Sequence, residues 1–280
     1  MRRQMSFNMI ELKRIMRNIS RILSFSACLI LVCTFYNISL ADEVTIKTQK
    51  MEFVTPDTLH MFGWLTATAS KGPAPLIVLL PMFGNDHTSY DSLLKALNQF
   101  YADNAHLPPF PRVLALDLRG HGASIKKGHQ TIGHDDRNEA EFKKIPKDVS
   151  FAIRKVMADT LIKIDTSKIF MVGASVGANA AVMVTKELPF IAKVVMLSPG
   201  EKFLGLEPAQ AVADYPGKAA IFVSTEDTYS YQSSKNLKKA SGEKANLRIS
   251  FGKDHGTDII NNDATAMEYL LNWLLVEKSK

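Results

Sequence analysis

A serine flanked by two glycines is the first feature of the sequence that could carry chemistry. The segment 173–177 reads GASVG, follows the apolar stretch 168–172 and opens a stretch with helical spacing. A sharp strand-to-helix turn lifts a serine hydroxyl out of a sheet, and glycines two residues to either side avoid collisions there. We therefore predict that Ser175 is a nucleophile.

A serine hydroxyl is a weak nucleophile at neutral pH and needs a base. Among the seven histidines, His255 lies in a loop directly after the last predicted strand, where its imidazole could reach such a hydroxyl. His121 also follows a strand, but it precedes the serine and lies in a glycine turn, so it is the weaker candidate. The imidazole needs a carboxylate to fix its tautomer. Asp227 follows the strand ending at residue 223 and is the predicted acid, with the adjacent Glu226 as the alternative.

Acyl chemistry at a serine also needs donors for the negative charge that develops on the substrate oxygen. One predicted donor is the backbone N–H of Val176, directly after the nucleophile. The other should come from the loop 80–84, which reads LPMFG and follows the third predicted strand. We expect the N–H of Phe83 to serve, with Met82 as the second choice.

Apolar runs alternate with longer segments of helical spacing throughout residues 42–280, which predicts the elements that must position these residues. Two strands at 44–48 and 59–69 have no helix between them and suggest an antiparallel start. The remaining predicted strands are 75–80, 112–117, 168–172, 193–197, 219–223 and 247–251. The predicted helices are 87–104, 138–164 (interrupted near Pro146), 175–187, 230–240 and 264–277. This pattern indicates an α/β fold in one domain, with a mostly parallel central sheet and helices on both faces.

The composition narrows the classes of function. The formal charge is +6, but six basic residues and one acid before residue 42 supply +5 of it, so the rest of the chain is close to neutral. A near-neutral body gives no electrostatic footprint for nucleic acid. Both cysteines, Cys28 and Cys33, lie before residue 42, which excludes a disulfide, a catalytic thiol or a thiolate metal site from the body.

The polar stretch 128–138 contains histidines and aspartates without a fixed ligand spacing and is interpreted as a solvated loop. No metal or cofactor is implied.

Residues 1–41 have the pattern of a signal peptide. A basic segment precedes the apolar stretch 22–40, and small residues at Ser39 and Ala41 suit a signal peptidase. We expect cleavage after Ala41 and export to the periplasm or the medium. An uncleaved anchor is the alternative, because the apolar stretch is near the lower length limit of a membrane span.

In combination these motifs resemble the α/β-hydrolase superfamily over about residues 75–275. The resemblance rests on the loop PMFG (81–84), the turn DLRGHGAS (117–124), the elbow at Ser175 and the loops of Asp227 and His255. The chain order serine, aspartate, histidine is the order of that superfamily. The resemblance implies that the turn 117–124 is structural and that its Asp117 and Ser124 are not catalytic. Many members have His-Gly where this chain has Pro81-Met82.

The resemblance also narrows the expected substrate. Residues 198–218, where a cap is often inserted, form only a short connection, as in capless esterases and dienelactone hydrolases. The expected reaction is cleavage of a carboxylic ester or amide in a small molecule or peptide, through an acyl-enzyme. A serine peptidase and an acyltransferase of the same fold are alternatives. A non-catalytic binding protein of the cell envelope is the alternative of another class.

Overall fold

The computed structural model describes residues 46–68, 72–104, 107 and 109–276, and the segment 1–41 predicted to be a signal peptide lies outside them. In this part of the chain ten strands form one sheet. The strands are β1 (Ile46–Val54), β2 (Leu59–Thr68), β3 (Ala74–Leu80), β4 (Arg112–Leu116), β5 (Lys126–Lys127), β6 (Gln130–Thr131), β7 (Ile164–Ala174), β8 (Lys193–Leu197), β9 (Lys218–Ser224) and β10 (Ala245–Ser250). The α-helices are α1 (Asp91–Asp103), α2 (Glu139–Phe142), α3 (Ile145–Ala158), α4 (Val176–Val184), α5 (Ala209–Asp214), α6 (Thr228–Ser241), α7 (Asp258–Asn262) and α8 (Ala264–Leu275). None of the described helices has both the length and the apolarity that a membrane crossing needs.

The sheet order places the chemically interesting loops side by side. The strands run in the order β10-β9-β8-β7-β3-β4-β2-β5-β6, and β1 pairs with β2. Pairing is parallel from β10 to β4 and antiparallel from β4 through β2 to β1, β5 and β6. Neighbouring parallel strands end nearly level, since Ala174 pairs with Leu197 and Leu197 with Phe222. Loops that follow β3, β7, β8, β9 and β10 therefore meet at one edge, where ligands bind in such sheets.

The apolar strands are uninterrupted because both faces of the sheet are covered. Every residue of β3 and β4 is buried. Alternate side chains enter two cores, as in β3, where Val78 faces the core under α3–α6 and Leu79 faces the core under α1, α7 and α8. This two-sided burial confirms the predicted α/β architecture, and the β1–β2 hairpin confirms the antiparallel start.

The predicted helix over 138–164 was wrong in its extent. It consists of α2 and α3, with the break at residues 143–144, close to Pro146 as expected. Pro146 lies in the first turn of α3, where a missing N–H costs nothing. Helix α3 ends at Ala158, and Ile164 is the first residue of β7. Strand β7 therefore begins four residues before the apolar run 168–172 that predicted it.

Residues 128–138 are mostly exposed, as a solvated stretch should be, but they include regular structure that was not expected. Strands β5 and β6 form a small hairpin that extends the sheet from the start of β2. A 3-10 turn at His134–Asp136 follows, and the His134 ring stacks on His121 with centroids 4.9 Å apart. Hairpin pairing and ring contacts are long-range features that the polar composition did not indicate.

Candidate active site

Ser175 lies at the junction of β7 and α4 in a strained backbone conformation. Its φ is 51° and its ψ is −114°, values that residues with a side chain rarely adopt. The Ser175 N–H donates to the carbonyl oxygen of Leu197 at the end of β8 over 2.8 Å. The side chain is half-buried, so the hydroxyl stands at the carboxyl edge of the sheet as the sequence predicts.

The glycines on either side of the elbow are required by close backbone contacts. A Cβ placed on Gly173 would collide with the carbonyl group of Gly177. A Cβ on Gly177 would collide with the carbonyl oxygens of Leu80 and Pro81. The turn therefore brings the start of α4 against the loop that follows β3, and any side chain at these positions would force them apart.

Asp227 and His255 are in contact, although 28 positions separate them in the chain. The distance from His255 Nδ1 to Asp227 Oδ2 is 2.6 Å. A carboxylate can only accept, so in the neutral imidazole Nδ1 carries the proton and Nε2 has the lone pair. The His255 side chain is 41% exposed and that of Asp227 only 13%. The imidazole is thus open to a substrate while its carboxylate partner is shielded.

The alternative residues lie elsewhere. The Glu226 side chain is exposed, and its backbone N–H donates to the carbonyl oxygen of Gly252. Asp254, the residue before His255 in the chain, accepts a hydrogen bond from Asn262 at the surface and not from the imidazole. His121 is buried, its Nδ1–H donates to the carbonyl oxygen of Arg119 over 3.0 Å, and burial lowers its pKa to about 4. His121 Nε2 has no hydrogen-bond partner among the described residues.

The loop of His255 packs directly against the elbow. A Cβ built on Gly256 would lie 3.4 Å from Cβ of Ala174, the residue before the nucleophile, and 2.7 Å from Sδ of Met82. Gly256 has a φ of 59°, so both its conformation and the space around it favour glycine. The loop that carries His255 thus lies against the residue that precedes Ser175 and against the loop after β3.

The two predicted backbone donors have no partner within the described chain. Val176 is the first residue of α4, where helical N–H groups lack intrahelical acceptors. The Phe83 N–H makes no hydrogen bond with the described residues, whereas the carbonyl oxygen of Met82 accepts from the Asn85 N–H over 3.1 Å. An oxyanion could be held between the N–H groups of Phe83 and Val176.

Tyr90 fixes the base of this loop. Its hydroxyl is fully buried and donates to the carbonyl oxygen of Leu80 over 2.8 Å, with that of Val172 at 3.3 Å. Burial raises the pKa of Tyr90 well above its usual value, so the donor stays protonated. One hydroxyl thus ties the end of β3 to the end of β7, a role that the sequence pattern did not indicate.

The Phe83 ring is enclosed by a cluster of rings, which we call the aromatic cluster. Its other members are His121, His134, Phe142 and Phe203, whose centroids lie 5.1–6.0 Å from that of Phe83. The guanidinium of Arg137 lies 5.1 Å from the same centroid. Phe203 comes from the 198–218 connection, which holds only a short turn and α5 and so builds no separate cap domain.

The turn 117–124 is held by hydrogen bonds to its own backbone. Buried Asp117 accepts from the Ala123 N–H over 2.7 Å and from the N–H and Nδ1–H of His87 over 2.9 and 2.8 Å. Ser124 Oγ donates to the Asp117 carbonyl oxygen and accepts from the Phe62 N–H. Asp86, His87 and Asp117 bring potential metal-ligand atoms within 4.8 Å of one another, but these hydrogen bonds already account for the Asp117 carboxylate. The turn is therefore structural, as the resemblance implies.

Beside this turn, Arg119 is almost fully buried and is surrounded by acids, which sequence reasoning missed. Its partners are the carboxylates of Asp57, Glu141 and Asp148. Lys127 and Lys144 contact Asp57 and Glu141 from the outside. We call these six residues the Arg119 cluster. It links the β1–β2 turn, the β5–β6 hairpin, α2 and α3.

Comparison with solved structures supports the fold. The structure matches an esterase from Pyrococcus furiosus, Pf2001, with a TM-score of 0.61 and 13% identity, covering 82% of this chain and 89% of that one. It also matches the α/β hydrolase GrgF from a Penicillium species, with a TM-score of 0.60, 15% identity and coverage of 81% and 98%. A third match is a putative dienelactone hydrolase from Klebsiella pneumoniae, with a TM-score of 0.57, 12% identity and coverage of 82% and 98%.

Together the sheet order, the elbow and these matches define the class: the chain has the α/β-hydrolase fold. No family model and no curated protein matches the sequence. A fold does not set an activity, which depends here on the residues at the carboxyl edge of the sheet.

Proposed function

We propose that the protein is a serine hydrolase that cleaves a carboxylic ester, with Ser175 as nucleophile, His255 as base and Asp227 as acid. The observation that carries the proposal is the 2.6 Å contact between His255 and Asp227, made by a loop that packs against the strained elbow of Ser175. Acyl transfer at a serine needs a carboxylate-paired imidazole within reach of the hydroxyl.

The reaction proceeds through an acyl-enzyme. Ser175 Oγ attacks the ester carbonyl carbon while its proton moves to His255 Nε2, and the carbonyl oxygen becomes an oxyanion held by the N–H groups of Phe83 and Val176. The intermediate collapses, the bond to the leaving oxygen breaks, and His255 returns its proton to that alcohol. A water molecule then loses a proton to His255 and attacks the acyl carbon. The bond to Ser175 Oγ breaks, the acid leaves, and His255 returns the proton to Ser175 Oγ.

The charge on His255 changes at each proton transfer, and Asp227 stabilises the charged form. Each backbone donor of the oxyanion hole typically contributes about 3 kcal/mol to the transition state. An ester is the easier substrate, because an alcohol is expelled more readily than an amine. The 41% exposed imidazole leaves the acyl-enzyme open to the water that deacylation needs.

Covalent labelling tests the proposal. A fluorophosphonate probe should label the wild-type protein at Ser175, and Ser175→Ala should lose both the label and the hydrolysis of short p-nitrophenyl esters. Ser224→Ala is a matched control, because Ser224 is a buried serine at the end of β9 whose hydroxyl has no partner in the described chain. Label that persists on another serine of Ser175→Ala would refute the assignment.

A further inference from the structure

In the order of the strands, Ser198 lies between the proposed nucleophile and the proposed acid. It follows β8, the strand that lies between β7, which leads to Ser175, and β9, which leads to Asp227. Its side chain is buried, with 1% exposure. Ser198 is thus a buried polar residue at the edge of the sheet that holds the proposed site, and it is not one of the three proposed catalytic residues.

The residue has an unusual backbone. Its φ is 49°, in the left-handed region that a residue with a side chain seldom adopts. Pro199 follows, and a residue before proline ordinarily adopts extended backbone. The Ser198 N–H donates to the carbonyl oxygen of Phe222 over 2.8 Å. Strain of this kind persists where the surroundings hold it, and it concentrates at functional sites.

The side chain holds the loop of the base. The N–H of Gly256 donates to Ser198 Oγ over 3.0 Å, in a buried hydrogen bond between residues 58 positions apart. Gly256 directly follows His255, so this bond fixes the backbone on which the imidazole is mounted. Ser198 therefore has both a left-handed backbone and a side-chain oxygen that accepts a hydrogen bond from the His255 loop.

The preceding residue holds the nucleophile. The carbonyl oxygen of Leu197 accepts from the Ser175 N–H over 2.8 Å. Leu197 and Ser198 together therefore bond the backbones of the proposed nucleophile and of the base loop, and their peptide unit sets the separation between the two. Asn179 of α4 braces the segment beyond them, since its Oδ1 accepts from the Gly200 N–H and its Nδ2–H donates to the Leu206 carbonyl oxygen.

We infer that Ser198 is a positioning residue that holds His255 in register with Ser175 through the Gly256 N–H. This inference rests on the proposed serine-hydrolase function. Proton transfer depends steeply on geometry, so the loss of Ser198 Oγ should lower kcat and leave KM unchanged.

Two substitutions separate the hydroxyl from the backbone strain. Ser198→Ala removes the hydroxyl and keeps a side chain at positive φ, whereas Ser198→Gly removes the hydroxyl and relieves the strain. Both variants should lower kcat per titrated active site about threefold to tenfold, the loss that one neutral hydrogen bond implies. Thermal stability should be higher for Ser198→Gly than for Ser198→Ala. Ser224→Ala, which removes an unpartnered buried hydroxyl one strand away, should keep the wild-type kcat.

A readout that does not depend on activity accompanies the kinetics. The Gly256 amide should exchange with solvent faster in both Ser198 variants, and at the wild-type rate in Ser224→Ala. The inference is overturned if Ser198→Gly keeps the wild-type kcat, if KM rises while kcat stays constant, or if the exchange of Gly256 is unchanged. If instead Ser175→Ala retains ester hydrolysis, the proposed function fails, while the exchange of Gly256 still decides whether Ser198 holds the loop.

Discussion

The pair formed by Asp227 and His255 shows how single side chains divide the work at this site. Asp227 also serves α6, since its Oδ1 accepts from the Ser230 N–H at the helix start over 3.4 Å. Its other oxygen faces His255 Nδ1. One carboxylate thus caps a helix and orients an imidazole, and the helix in turn fixes the direction of the carboxylate.

Replacing this carboxylate by an amide should disable the base. Asp227→Asn keeps the shape but offers no negative charge to the imidazolium and can impose the wrong tautomer, so kcat should fall about 10⁴-fold. Steady-state hydrolysis of a p-nitrophenyl ester measures this. Glu226→Gln is the matched control, because the adjacent carboxylate is exposed and should leave kcat unchanged. The reverse result would make Glu226 the acid.

At the scale of elements, the Arg119 cluster joins four segments, of which α2 also contributes a ring to the aromatic cluster. Arg119 uses its guanidinium on three carboxylates at 2.6–2.9 Å. Helix α2 contributes Glu141 to this cluster and Phe142 to the ring packing around Phe83. The position of the Phe83 side chain therefore depends in part on ion pairs beneath it.

The stability of this region should depend on pH through Glu141. Burial alone would raise the pKa of Glu141, but hydrogen bonds from Lys127, Lys144 and Arg119 outweigh it and lower the pKa to about 2. A carboxyl group with a depressed pKa stabilises the fold above its usual pKa of 4.5, and the contribution is lost as the pH falls from there toward 2.

Glu141→Gln tests this directly. At pH 7 the variant should unfold in urea with a free energy about 2 kcal/mol below that of the wild type, since it loses hydrogen bonds to charged groups. The difference should shrink between pH 4.5 and pH 2, as the wild-type carboxylate takes up its proton. The exposed Glu243 supplies the control Glu243→Gln, which should match the wild type throughout. A difference independent of pH would contradict the role of the ion pairs.

At the scale of the whole molecule, the sheet order brings together residues that are far apart in the chain. Strands β7, β8, β9 and β10 are successive neighbours, and β3 lies on the other side of β7. Each contributes one loop at the same edge. Each face of this sheet has its own apolar core. The two cores stabilise the part of the chain that also holds the proposed site.

We therefore predict that a chain of residues 42–280 folds and works without the first 41 residues. It should unfold in one cooperative thermal transition and hydrolyse p-nitrophenyl esters with the kcat/KM of the full-length protein within about twofold, because the proposed site and the two cores lie within it. Circular dichroism and ester kinetics on the purified protein measure both. Aggregation, or folding without the activity of the full-length chain, would contradict the proposed boundary.

The sequence by itself determined the alternation of apolar strands with helices and the turn around Ser175, because these depend on local constraints. Buried strands need continuous apolar side chains, and a sharp elbow needs small residues within two positions of its centre. It also placed Asp227 and His255 in loops after strands. The sequence did not decide whether Asp227 or Glu226 is the partner of His255, since the two residues are adjacent and fit the same local pattern.

The tertiary structure decided what depends on contacts between distant segments. The pairing of His255 with Asp227, the hydrogen bond from Gly256 to Ser198, the β5–β6 hairpin and the Arg119 cluster all join residues from different segments of the chain. Hydrogen bonds and ion pairs of this kind depend on where two backbones meet, and that is set by the order and level of the strands rather than by the residues beside them.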